Sequence, residues 1–190
     1  RSVVLDLRTA DHVAVLHDLL EDADVLVTNM RQAALQRLGF GHAAVCARHP
    51  NLVYGAITGY GLDGVDADRA GYDTGAFWAR SGFAHTMVPP GEMPPNLRSG
   101  TGDHFTGMTL AAGVMAKLVE RSTTGKGGLV STSLLRTGMY AIAWDMGIQL
   151  RFGRRQRTRA RENNPSPLVN NYPTADGRSI WLICLEADRH

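Results

Sequence analysis

The 190-residue chain has only two cysteines, Cys46 and Cys184, far apart and in no metal-ligand spacing. They read as reduced, buried thiols of a cytoplasmic protein. No apolar run reaches the roughly 18 residues a membrane helix needs, so no membrane partner is expected. No charged-then-apolar leader with a small-residue cleavage pattern is visible. Among the seven histidines no H-x-x-x-H pair or His/Cys cluster occurs, so no metal is expected. A G-x-S-x-G elbow and a G-x-G-x-x-G fingerprint are both missing. Charge of one sign is scarce too: the formal net charge of +2 is too small to mark a nucleic-acid binder.

What is present is the balance of a globular protein that buries a core, with 44% hydrophobic and 20% charged residues. The chain opens at Arg1 and runs directly into the strand-like Val3–Leu7. It stops at His190, just after the apolar run Ile180–Leu185. Both ends read as cuts inside ordered elements, so the expectation is an interior portion of a larger protein with a first strand or more missing.

Thr9 is placed to cap a helix whose buried stripe is Val13, Leu16, Leu19 and Leu20. Ala23–Asn29 reads as a strand with little alternation, which suits a parallel strand covered on both faces. Gln32–Leu38 and Ala43–Arg48 read as short helices, and Leu52–Thr58 as a third strand. This β-α-β-α-α-β order predicts the α/β class with a Rossmann-like parallel sheet. Helices are expected over Tyr72–Gly82, about Gly102–Glu120 and Leu134–Leu150, and a strand over Leu129–Ser133. The small residues Gly107, Ala111, Ala112, Gly113 and Ala116 are expected to let the long helix pack closely. Residues 1–150 then form part of a large domain, 151–167 a linker, and 168–190 the start of a smaller α+β domain.

Asp103 lies where the loop Ser99–Gly102 enters the long helix. A helix start presents free N–H groups and partial positive charge, so a carboxylate there is held ionised. Two roles fit: a helix cap, for which Asp is among the preferred residues, or a covalent nucleophile. Flanking Gly102 and Gly107 allow a backbone or ligand to come close. Asn29-Met30-Arg31 and Thr58-Gly59-Tyr60-Gly61 each follow a strand, at the end where open α/β sheets take ligands. Arg8 and Arg37 stand one element away on either side, either as phosphate contacts or as solvated helix-end charges. His104, beside Asp103, points elsewhere on the helix and is a surface or rim residue. The arginine run Arg151–Arg161 has Phe152 as its one aromatic. It reads as a solvated linker or an acid-binding surface, not as a nucleic-acid site.

Taken in order, Arg1–Arg8, Ala23–Met30, Leu35–Gly39, Asn51–Tyr54, Thr58–Gly61, Asp68–Asp73, Gly102-Asp103, Arg121–Gly127 and Asn171–Arg178 resemble the class III CoA-transferases. This is the formyl-CoA and carnitine CoA-transferase family, also called CaiB/BaiF. The resemblance covers nearly the whole chain. It implies a CoA-binding large domain, a small domain and an interlocked homodimer. It implies that Leu5, Arg8, Asn29, Met30, Arg37 and Leu38 line the CoA site and that Tyr60 lies near the thioester. It matches Asp103 to the family's nucleophile, which carries the acyl group and then CoA between an acyl-CoA and a carboxylic acid, with no metal or redox cofactor. Relatives that racemise 2-methylacyl-CoA have a histidine where this chain has Tyr72, so transfer is expected over racemisation. A CoA-binding module without turnover is the reading from another class. Formyl-transferase relatives carry a glycine-rich lid loop, and Arg151–Pro167 has no such run.

Overall fold

The computed structural model describes residues 2–155 and 157–186. Arg1 of the first block of resemblance and the last four positions of the expected small domain lie outside the described residues. The chain divides into two compact units, Arg1–Phe83 with Asn96–Ala143, and Ala84–Pro95 with Trp144–His190.

The first unit is built on three parallel strands in the order β1 (Val25–Thr28), β2 (Val53–Thr58), β3 (Gly128–Ser133). Val25 pairs with Val53, and Val53 with Gly128. Parallel neighbours need long crossovers, and helices supply them here. Helices α2 (Gln32–Arg37) and α3 (His42–Arg48) connect β1 to β2. A π-helix (Asp73–Arg80), the short α4 (Phe83–Thr86) and the long α5 (Thr101–Thr124) lie between β2 and β3. Helix α1 (Ala10–Glu21) precedes β1.

Central β2 is closed on both faces. Tyr54 and Ala56 point into a core with Leu20, Leu35, Phe40, Val45 and Leu52, and the buried Tyr54 hydroxyl donates to the Phe40 carbonyl at 2.9 Å. Gly55, on the alternate face, looks at Leu110 and Val114 of α5. A two-sided strand of this kind has a near-continuous apolar sequence, as Val53–Ile57 has. The expected α/β class is therefore the observed one. The far end of α5 is tied to the amino ends of the strands. Arg121 donates to the Asp24 carboxylate at 2.6 Å and to the Asn51 carbonyl at 3.0 Å.

Several local expectations are corrected. Val3–Leu7 is not a strand: the Asp6 N–H donates to His12 Nδ1 and the Thr9 N–H to the Asp6 carbonyl, so the backbone turns into α1. Thr9 does sit at the cap position, but its hydroxyl donates back to Asp6. On α1, Leu19 is exposed and His17 is buried in its place. At about 100° per residue, Val13, Leu16, His17 and Leu20 share one face and Leu19 falls outside it. Edge strand β1 leaves Val27 exposed. Of the small residues expected to let α5 pack closely, Gly113 alone is tightly placed, against Val130; Ala111, Ala112 and Ala116 are exposed. The helix expected over Leu134–Leu150 breaks at Ile142, whose φ of −112° and ψ of 26° end α6 (Leu134–Ala141) before α7 (Ala143–Phe152) begins.

The second unit contains an antiparallel hairpin of β4 (Val169–Pro173) and β5 (Ser179–Ile183). Its turn places Gly177 at φ 77°, a left-handed conformation suited to glycine. The Thr174 hydroxyl donates to the Asp176 carboxylate there and holds that carboxyl below its ordinary range.

Candidate active site

All three strands run the same way, so their carboxyl ends meet along one edge. A cleft of about 570 Å³ opens there. Asn29, Met30 and Arg31 line it after β1, and Ile57, Thr58 and Gly59 at the end of β2. Leu134 lines it after β3, and Arg69, Gly71 and Tyr72 from the loop before the π-helix. Asp103 completes the wall from the first turn of α5. This is the crevice in which open α/β sheets take their ligands.

Local hydrogen bonds fix each contributor. The Thr28 hydroxyl accepts from the Met30 N–H at 3.2 Å, and the Thr58 hydroxyl from the Gly61 N–H at 2.9 Å. Ser133 caps α6 by accepting from the Arg136 N–H at 3.1 Å, and the Leu135 N–H donates to the Gly59 carbonyl at 3.0 Å. Asp68 accepts from the Ala33 N–H at 3.2 Å, which ties the loop to the start of α2. Gly59 and Gly71 meet backbone to backbone, since a Cβ on Gly71 would stand 2.7 Å from the Gly59 Cα.

The start of α5 is built around Asp73 and Gly102. Asp73 is buried, and its carboxylate accepts from the Thr74 N–H at 2.7 Å and the Gly100 N–H at 2.6 Å. Gly100, at φ 82°, is the residue at the cap position. Gly102 is pressed on Phe77, where a Cβ would lie 2.6 Å from the ring's Cγ. Asp103 is therefore inside the first turn, exposed, and makes no capping hydrogen bond among the described residues. His104 is exposed and does not line the cleft. A Cβ on Gly107 would meet nothing within 4 Å beyond its own helix backbone.

The structure brings Asn29, Met30 and Asp103 together. Leu5, Arg8, Arg37, Leu38 and Tyr60 do not line this cleft. Arg8 is engaged with Asp6 through two hydrogen bonds of 2.8 Å, which holds the Asp6 carboxyl below its ordinary value. Leu38 packs against the core. Arg37 is exposed in the last turn of α2, and Leu5 is half-buried. Tyr60 contacts Gly71, and its ring lies 5.8 Å beneath the Arg69 guanidinium. Arg69 and Gly71 carried no individual role in the sequence reading; the block Asp68–Asp73 was the signal, and its loop has no periodicity to place it.

No group of three metal-ligating side chains occurs among the described residues, and no described helix is long and apolar enough to cross a membrane. In the second unit, Arg154, Arg155, Arg157 and Arg159 of the basic run line a separate cleft of about 1150 Å³ with Phe152 and Ile148.

Comparison with known proteins places this geometry in a family. The chain is 35% identical over its whole length to (R)-2-hydroxy-4-methylpentanoate CoA-transferase of Clostridioides difficile, covering 47% of that protein. It is 36% identical over 97% of its length to cinnamoyl-CoA:phenyllactate CoA-transferase of Clostridium sporogenes, covering 45% of it. The chain thus spans about half the length of the curated relatives it matches. A crystal structure of a CAIB/BAIF family protein from Brucella suis superposes with a TM-score of 0.83 at 26% identity, over 97% of this chain and 48% of that one. The model of CoA-transferase family III matches residues 1–190, and the chain belongs to that family.

Proposed function

We propose that the protein moves coenzyme A from an acyl-CoA donor to a carboxylic acid, with Asp103 as the covalent carrier. The observation that supports this most is the placement of Asp103. Its carboxylate is exposed in a cleft at the strand ends, in the first turn of a 24-residue helix, and accepts no hydrogen bond from another side chain or backbone group among the described residues.

The steps balance with no metal or redox group. An Asp103 carboxylate oxygen attacks the thioester carbonyl, the C–S bond breaks, and a mixed anhydride and CoA thiolate result. The thiolate attacks the Asp103 carbonyl, the anhydride C–O bond breaks, and the donor acid leaves an aspartyl-CoA thioester. The acceptor carboxylate attacks that thioester and expels the thiolate. The thiolate then attacks the acceptor's carbonyl, giving the new acyl-CoA and restoring Asp103. Exchange between two carboxylates is nearly thermoneutral, so the enzyme needs a store for the activated group and not an energy source. N–H groups at the start of α5, Gly102 among them, are suited to stabilise the oxyanions.

CoA is a substrate in this reading, not a resident cofactor, and Asn29 and Met30 are its contacts in the cleft. Leu5, Arg8, Arg37, Leu38 and Tyr60 belong to a more extended CoA surface. The names of two relatives favour a 2-hydroxy acid with an apolar side chain as acceptor. Cytoplasmic location and the interlocked homodimer belong to the same reading. Racemases of the family from mouse and human are 27% and 28% identical. Tyr72, exposed in the cleft, is a poor base for α-proton removal and disfavours that activity.

The test uses the full-length polypeptide with cinnamoyl-CoA and phenyllactate or 2-hydroxy-4-methylpentanoate. Hydroxylamine trapping followed by mass spectrometry should find the modification at Asp103, and D103N should lose transfer. Full transfer by D103N would overturn the proposal.

A further inference from the structure

Besides Asp103, the cleft holds two permanent cations, Arg31 and Arg69. An acceptor acid reaches this site as an anion and must approach a carboxylate-bearing residue, so a positive charge beside it favours that approach. The two arginines differ in how they are held. Arg31 has no side-chain partner among the described residues. The Arg69 guanidinium lies over the Tyr60 ring at 5.8 Å, and Tyr60 is itself lodged against Gly71. The cation–π contact leaves the guanidinium N–H groups to other partners, and one of them, at Nη1, donates to Asp66 at 3.4 Å.

Arg69 shares its carboxylate partner with a second arginine. Its nearest carboxylate is Asp66, at 3.4 Å. The other oxygen of Asp66 is bound by Arg80 at 2.8 Å. One carboxylate thus serves two guanidinium groups, with the shorter bond going to Arg80. Arg69 is thus a cation in the wall of the cleft whose one carboxylate partner is divided between two guanidinium groups.

From this we infer that Arg69 anchors the carboxylate of the acceptor acid and is a specificity-determining residue for the second half of the transfer. The inference rests on the transfer reading above. Tyr60 is its positioning residue, which gives that ring a task separate from contact with the thioester.

The experiment separates the two halves of the reaction in the full-length polypeptide. R69Q and R69K are compared with wild type for the acceptor KM (phenyllactate or 2-hydroxy-4-methylpentanoate), the cinnamoyl-CoA KM, and the donor-driven, hydroxylamine-trapped modification of Asp103. R69Q is expected to raise the acceptor KM about tenfold or more, equivalent to about 1.4 kcal/mol. Donor KM and trapping at Asp103 stay as in wild type, and R69K recovers part of the loss. The carboxamide analogue of the acceptor, used as a competitive inhibitor, should bind wild type and R69Q alike. An unchanged acceptor KM in R69Q, or a rise in the donor KM instead, overturns the role of Arg69 and leaves the transfer reading standing. Wild-type protein that is never modified at Asp103 overturns both.

Discussion

Gly59 and Gly71 touch through their Cα atoms: a Cβ added to Gly59 would stand 2.8 Å from the Gly71 Cα. Backbone lies on both sides of this contact, so neither partner has a flexible side chain to move aside. Gly71→Ala should separate the loop from the end of β2, cost about 1–3 kcal/mol and lower turnover. Urea unfolding and steady-state kinetics measure the two effects. Gly107→Ala, where the added methyl meets open space, serves as the control and should be neutral or slightly stabilising.

Asp73→Asn tests what fixes the start of α5. Both oxygens of the buried carboxylate accept backbone N–H groups, one from Thr74 and one from Gly100. An amide can accept at one position only and turns a donor toward the other. The expected loss is about 1–3 kcal/mol in denaturant unfolding. Turnover should fall as well, because Gly100 leads directly into the turn that carries Asp103.

The buried pair of His17 and His49 predicts a pH dependence of stability. Their ring nitrogens meet at 3.0 Å, and His17 also stacks on Phe40. Burial, followed by the charges of Arg48 and His49, lowers the His17 pKa from its ordinary 6.5. The folded protein therefore resists protonation that the unfolded chain accepts. Stability is complete above about pH 6.5 and falls as the pH drops below it, since the unfolded state then binds more protons. Thermal unfolding between pH 5 and 8 should show this slope, and His17→Phe should flatten it. A wild-type slope unchanged by that substitution would exclude His17 as its source.

Tyr54→Phe removes a single buried hydroxyl and leaves the Phe40 carbonyl without its donor. The expected cost is about 1–3 kcal/mol in unfolding free energy, with kinetics unaffected because Tyr54 faces the core and not the cleft.

Strands β1 and β2 and helices α2, α3 and α5 were legible because apolar runs and Gly or Pro breakers bound them. Val3–Leu7 misled because apolar composition alone does not supply a pairing partner. Leu19 misled because a cluster of leucines hid the true 3.6-residue face that His17 completes. The break at Ile142 carries no proline or glycine, so nothing local in the sequence marks it. In the site, Asn29 and Met30 were candidates from their position after a strand and Asp103 from its place at a helix start, where a cap fitted equally and the resemblance supplied the other role. Arg69 and Gly71 were not singled out individually, because a loop's approach to a strand end is a tertiary event. Only the size of Gly71, seen against Gly59, explains it.

Helix α5 acts as a tie rod. Asp103 stands near one end, and Arg121, about 27 Å along the axis, is clamped to Asp24 and Asn51 at the opposite rim of the sheet. A lesion at that remote anchor, such as Arg121→Ala, would loosen the rod and let its tip wander. The chemistry would then suffer from a change that leaves every residue of the cleft untouched.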